Sequence, residues 1–132
     1  MCLEPADAVL LAALTRGLVD TAATAWAAGD PAPAVRTELL RVATWRASRS
    51  GLAGDLVSPA DWRPRPAAEV VDLLRDHVSD ALQETGDVGV VDEGIRRLLR
   101  TGTGADAQRA SYRQTGTLSG VVAHAVERTA AA

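Results

Sequence analysis

Two short stretches carry the residue types that could do chemistry. In Thr101-Gly102-Thr103-Gly104-Ala105-Asp106 a glycine turn opens a helix. Free backbone N–H groups at such a turn can hold a phosphate or a carboxylate. Gln108, Arg109 and Arg113 follow, and Arg109 and Arg113 share one helix face. The same spacing describes a plain helix–turn–helix corner, with Gly102 as a C-cap and Thr103 capping the next helix. The turn also lacks the length and the lysine of a P-loop. The second stretch is Thr44-Trp45-Arg46-Ala47-Ser48-Arg49-Ser50-Gly51-Leu52. Arg46 falls on the helix face of Leu39 and Val42. A buried arginine is costly unless paired, so Arg46 must meet a carboxylate, a carbonyl cluster or a ligand. A structural ion pair and a ligand contact fit its position equally.

No self-sufficient catalytic set accompanies them, and no catalytic residue is assigned. Two histidines and several serines occur without a nucleophile elbow or another local signature. His77 lies on an apolar helix face, where a partly buried structural histidine is expected. His124 is expected at the surface. No His/Cys/Asp/Glu spacing resembles a zinc site, so no metal ligand is expected.

The elements that must position these residues are helices. The 132 residues suit one domain with a modest core. Alanine dominates, phenylalanine is absent, and the aromatics are Trp26, Trp45, Trp62 and Tyr112. Alanine has the best helix propensity and lets helices approach closely, while the β-branched and aromatic runs of strands are scarce. Apolar periodicity and Gly/Pro punctuation predict an all-α bundle of about five to six helices, near 7–28, 34–50, 67–85, 88–100, 104–115 and 117–130. The residues expected inward are Val9, Leu10, Ala13, Leu14, Leu18, Ala22 and Ala25; Leu39, Val42 and Ala43; Val70, Leu74, Val78, Ala81 and Leu82; Val88, Val91, Ile95, Leu98 and Leu99; and Leu118, Val121, Val122, Ala125 and Val126. Asp7 is the expected N-cap of the first helix. One long Gly/Pro-rich stretch, 51–66, reads as an ordered loop because it carries Trp62.

All basic residues are arginine, and the net charge is −3. That balance argues against a general nucleic-acid binder. The lone Cys2 excludes an internal disulfide and fits a reduced, cytoplasmic setting. No signal peptide is visible, and the apolar run Val9–Leu14 is too short to span a bilayer, so no membrane partner is expected.

Several pieces recur in a particular order. They are Cys2-Leu3; Asp7-Ala8-Val9 with Ala13-Leu14-x-Arg16-x-Leu18-Val19; Leu39-Leu40-Arg41; and Trp45-Arg46-Ala47-x-Arg49-x-Gly51-Leu52. Leu56-Val57-x-Pro59, Pro66-Ala67, Thr85-Gly86-Asp87 and Gly102-x-Gly104-Ala105-x-x-Gln108-Arg109 follow. In this order they resemble the C-terminal signature of the carboxylate–amine ligase family, which includes bacterial type 2 glutamate–cysteine ligases. The resemblance runs over nearly the whole chain. It implies the helical C-terminal part of a glutamine-synthetase-like ligase. In such an enzyme ATP phosphorylates the γ-carboxylate of glutamate or a similar acid, and the amine of cysteine or another amine attacks the acyl phosphate.

The resemblance makes Trp45, Arg46 and Arg49 candidate walls of the active site. It makes Gly102, Gly104, Gln108 and Arg109 candidates for a structural or phosphate-facing corner. Thr44 stands where the family commonly has asparagine, and a hydroxyl cannot offer the two-sided hydrogen bonding of an amide. Ala107 stands where a larger residue is common. The family's metal-binding carboxylates and catalytic sheet lie upstream of the matched part. ATP and Mg are therefore expected in the complete enzyme, no cofactor is expected on this chain alone, and inactivity in isolation follows. The family has valine directly before the cysteine that aligns with Cys2. Met1 is accordingly expected to mark a start inside a longer gene or a truncated remnant. The expected partners are the missing sheet or a second copy, meeting apolar helix faces that the sheet would cover. The alternatives are a small helical module that self-associates or binds a partner chain, and an independent phosphate binder built on the corner between Arg96 and Arg113.

Overall fold

A computed structural model describes residues 4–130. The Cys2-Leu3 match and Met1 lie outside the described residues. In order, the elements are α1 (Pro5–Ala27), α2 (Thr37–Ser50), a 3-10 turn (Gly51–Ala53), β1 (Asp55–Val57), β2 (Pro64–Pro66), α3 (Ala67–His77), α4 (Ser79–Thr85), α5 (Val88–Thr101), α6 (Gly104–Thr115) and α7 (Leu118–Ala130). The architecture is the mostly helical bundle that the periodicity predicts.

α1 begins earlier than its sequence suggests. Pro5 occupies the first turn, where its missing N–H costs nothing, and Glu4 is the N-cap. Asp7 is therefore not the cap. It is a buried residue in the first turn of the helix. As a whole, α1 is long and apolar enough to cross a membrane by length and composition, which the run Val9–Leu14 alone does not reveal. In this fold Leu10 and Ala13 of α1 join the core, while Val9, Leu11, Val19 and Trp26 stay exposed. Leu10, Ala13, Val78, Leu82, Val91 and Ile95 form the core, drawn from α1, α4, α5 and the residue joining α3 to α4.

Two glycines let these helices approach. A Cβ on Gly94 of α5 would lie 2.9 Å from Leu10 Cδ2, and one on Gly17 of α1 would lie 3.2 Å from Val78 Cβ. Val78 itself interrupts the expected 67–85 helix, with φ −100° and ψ 9°. Its own N–H still bonds to Leu74 O and its carbonyl accepts Leu82 N–H, so α3 and α4 follow one another closely. The break turns Val78 inward against Gly17 and leaves His77 exposed, contrary to its expected place on the apolar face. His124 is half-buried rather than a surface residue. The bidentate pair Arg75–Asp92, with Nε–Oδ1 at 3.0 Å and Nη2–Oδ2 at 3.3 Å, joins α3 to α5.

The stretch 51–66 is more regular than the ordered loop that its composition suggests. β1 and β2 form an antiparallel hairpin with Asp55 opposite Pro66, Leu56 opposite Arg65 and Val57 opposite Pro64. Buried Ser58 organises the connection. Its N–H donates to Arg63 O and its carbonyl accepts from Trp62 N, both at 2.9 Å, while its hydroxyl accepts the Ala60 N–H. Trp62 is held at φ 59°, a conformation that a bulky side chain rarely adopts. α2 packs on this hairpin and the 3-10 turn.

Several residues expected inward face outward, among them Val9 and Leu18 on α1, Val42 on α2, Leu99 on α5, and Leu118, Val122 and Val126 on α7. Ala22 is exposed as well. α1 is apolar on most of its sides, α2, α5 and α7 are amphipathic, and no described element covers these outward side chains. α6 and α7 pack chiefly on each other, and α2 on the hairpin.

The Leu10–Gly94 contact yields a stability prediction. Leu10→Ala should cost about 2–5 kcal/mol in urea unfolding, through lost transfer energy and the cavity left behind. Leu10→Ala combined with Gly94→Ala should cost less than the sum of the single changes, because the new methyl enters the vacated space.

Candidate functional site

The corner between α5 and α6 is built by its own residues. Gly102 ends α5 at φ 79°, with its N–H on Leu98 O at 2.9 Å. A side chain there would meet Asp106 at 3.1 Å, so glycine is required for both conformation and space. Thr103 is the N-cap of α6. The Asp106 carboxylate turns back onto it, accepting the Thr103 N–H at 2.8 Å and the Thr103 hydroxyl at 2.7 Å. Arg109 Nη2 adds a third bond, to the other carboxylate oxygen, at 2.6 Å.

The Thr103 backbone N–H and hydroxyl beside Asp106, with the Arg109 guanidinium, hold its carboxyl down to about 2 from 3.8. An internal anion thus occupies the place at the α6 N-terminus that a phosphate would take. Gly104 lies in the same first turn and Gln108 is half-buried one turn on. Gln108, Arg109 and Arg113 line a shallow groove of about 470 Å³ with Tyr112, Leu118 and Val121.

A second charged group lies beside this corner, and sequence reasoning missed it. Arg97 on α5 donates from Nη1 to Glu4 Oε2 at 2.9 Å and from Nη2 to Asp7 Oδ1 at 2.7 Å. Arg128 on α7 pairs with the other oxygen of Glu4. These four side chains and the Thr101–Gly104 turn enclose a polar cavity of about 50 Å³. No local signal could have found the group, since Asp7 and Arg97 lie 90 positions apart. From the sequence, Asp7 reads as a helix cap.

The other candidates sit elsewhere in the fold. Arg46 is half-buried and its Nε donates to Asp55 O at 3.1 Å, so a backbone carbonyl of β1 is its partner. Trp45 is 62% exposed. The Arg49 guanidinium lies 6.0 Å from the Trp45 ring centroid, at the outer limit of a cation–π contact. Trp45, Arg46 and Arg49 thus belong to the α2–hairpin unit, whereas Gly102, Gly104, Gln108 and Arg109 belong to the α6–α7 corner.

Among the described residues no three His, Cys, Asp or Glu side chains come together as metal ligands. The phosphate-type corner at the start of α6 is filled by Asp106. The residues of this chain alone therefore do not fit a nucleotide–metal centre.

Residues 1–127 match the family model described as glutamate–cysteine ligase family 2. The chain is 49% identical over its full length to a protein of Streptomyces coelicolor described as "Putative glutamate--cysteine ligase 2", covering 36% of that relative. It is 47% identical over 98% of its length to a similarly named protein of Frankia alni, covering 34% of it, and 42% identical to one of Streptomyces avermitilis, covering 36%. The chain thus spans about a third of the length of the curated relatives it matches. No solved structure matches it.

The depressed Asp106 carboxyl sets a pH dependence. Its stabilisation is fully present above the ordinary carboxylate range near 3.8 and is lost as the pH falls toward about 2. Thermal unfolding between pH 5 and pH 2 should show this loss in the native chain. Asp106→Asn should be less stable at pH 5 and flatter across that window.

Proposed function

The chain belongs to glutamate–cysteine ligase family 2, and from that we propose that it is the C-terminal helical portion of an ATP-dependent carboxylate–amine ligase, without activity of its own. The observation that carries this reading is the family match over residues 1–127 by a chain about a third as long as its relatives. The side-chain inventory supports it. Phosphoryl transfer to a carboxylate needs clustered metal-binding carboxylates and cations around the transferring group. Several carboxylates described here are instead taken up by arginines, Arg75–Asp92 and Arg109–Asp106 as pairs and Glu4 and Asp7 together around Arg97.

In the complete enzyme, ATP and Mg would bind chiefly to the preceding part. This segment would contribute Trp45, Arg46 and Arg49 as one wall, and Gly102, Gly104, Gln108 and Arg109 as a supporting corner. Glutamate as the acid, cysteine as the amine and a cytoplasmic setting belong to the same proposal.

A second reading, a helical module that self-associates or binds a partner chain, is favoured by the uncovered apolar side chains. Trp26 is 84% exposed and Leu118 is 75% exposed, and Val122 and Val126 continue the α7 face. Both readings place another polypeptide on these faces. A monomer with no tendency to associate in light scattering counts against the second.

The purified 132-residue chain should release no phosphate in the presence of ATP, Mg, glutamate and cysteine, and dependent release overturns the first reading. Fused behind the portion of the Streptomyces coelicolor relative that it lacks, it should support turnover. Arg46→Ala in that fusion should lower kcat/KM by about tenfold or more, through the loss of a positioned cation.

A further inference from the structure

The α6–α7 hairpin stands apart from the rest of the bundle. Its two helices pack chiefly on each other, while α1, α3, α4 and α5 share the core. No residue of α6 or α7 belongs to that core cluster, and among the described residues Ser111 is the hairpin's one buried side chain. Two features join it to the body. One is the turn at Gly102, whose positive φ confines the chain to a single residue between α5 and the Thr103 cap. The other is the charged group of Glu4, Asp7, Arg97 and Arg128.

In that group Arg97 is the inner member, bonded to both carboxylates from α5. Arg128 is the outer one, reaching from the last turn of α7 to the oxygen of Glu4 that Arg97 leaves open. Asp7 and Arg97 are largely buried, and Arg128 is the most exposed of the four. The order of burial assigns them different parts. Asp7–Arg97 holds α1 to α5, and Glu4–Arg128 fastens the hairpin onto that pair.

We propose that the α6–α7 hairpin is a hinged arm, pivoting at Gly102 and latched by the Glu4–Arg128 ion pair to the start of α1. The latch couples the two ends of the chain. Whatever displaces Glu4 frees α7, and the hairpin carries its own groove of Gln108, Arg109 and Arg113 with it. An exposed pair is screened by salt, so the latch opens at high ionic strength. The apolar core contacts do not weaken with it. The inference does not depend on the ligase reading.

Hydrogen exchange read by mass spectrometry on the whole chain tests it. Arg128→Gln should speed amide exchange in α6 and α7 by about tenfold, leaving α1, α4 and α5 protected as in the native chain. Glu4→Gln should free the hairpin at least as much, since it also weakens the Arg97 contact, and the double variant should be no faster in α6 and α7 than Glu4→Gln alone, because Arg128 then has no partner left to lose. Salt at 1 M should produce this pattern in the native chain and leave Arg128→Gln unchanged. The proposal is overturned if the hairpin keeps its native protection in both single variants. It is equally overturned if α1, α4 and α5 lose protection together with the hairpin, because the arm and the core would then be one cooperative unit.

Discussion

The rest of the structure depends on the seating of Leu10 over Gly94. A buried leucine occupies the space where α5 has no side chain, so Leu10 packs directly against α5 at Gly94. That contact fixes the register of the pair. Three residues before Leu10 stands Asp7, and three after Gly94 stands Arg97. In antiparallel helices those two positions meet, and they do, at 2.7 Å. Two turns further along α1, Gly17 receives Val78 in the same manner. One helix is thus gripped at both ends of its core face, and the interrupted α3–α4 segment is aligned by where Val78 must go.

Charge is distributed by the same logic. Among the described residues no buried side-chain polar atom lacks a partner, and the arginines are the usual means of satisfying carboxylates. Arg75 joins α3 to α5, Arg97 joins α5 to α1, and Arg109 closes onto Asp106 within α6. At the Gly102 corner this has a chemical consequence. The positive end of α6, the Thr103 hydroxyl and Arg109 together form a good anion site, and Asp106 is the anion. An external phosphate would have to displace a carboxylate whose ionised form is already strongly favoured. The corner is therefore a stable joint first. Any role toward a ligand requires Asp106 to move.

The outward apolar faces of α1, α2 and α7 have a different origin. α1 is apolar on most of its sides and α2 and α7 are amphipathic, and among the described residues no element covers their outward apolar side chains. Under the proposed reading these faces await the remainder of a ligase. The α2–hairpin unit and the α6–α7 arm carry the two sets of candidate residues on separate packing groups.

By itself the sequence determined the helical class, most helix limits, the Gly102 stop and the Thr103 start, because these follow from local rules. Propensity, capping and the conformational freedom of glycine act within a few residues. The family was legible too, in the order of motifs from Cys2 to Arg109. Tertiary structure decided the rest. Asp7 reads as a cap and proves to be a buried partner of Arg97, because the residue it meets lies on another helix. Val78 reads as mid-helix and proves to be a break, because it must enter the space at Gly17. His77 and Val122 read as inward and face outward, because periodicity states that a helix has an apolar face but not which neighbour covers it. Arg46 was left between an ion pair and a ligand, and the β1 carbonyl it meets exists only once a proline-rich stretch folds into a hairpin. Local chemistry wrote the elements; close approach between distant residues set which of their side chains meet.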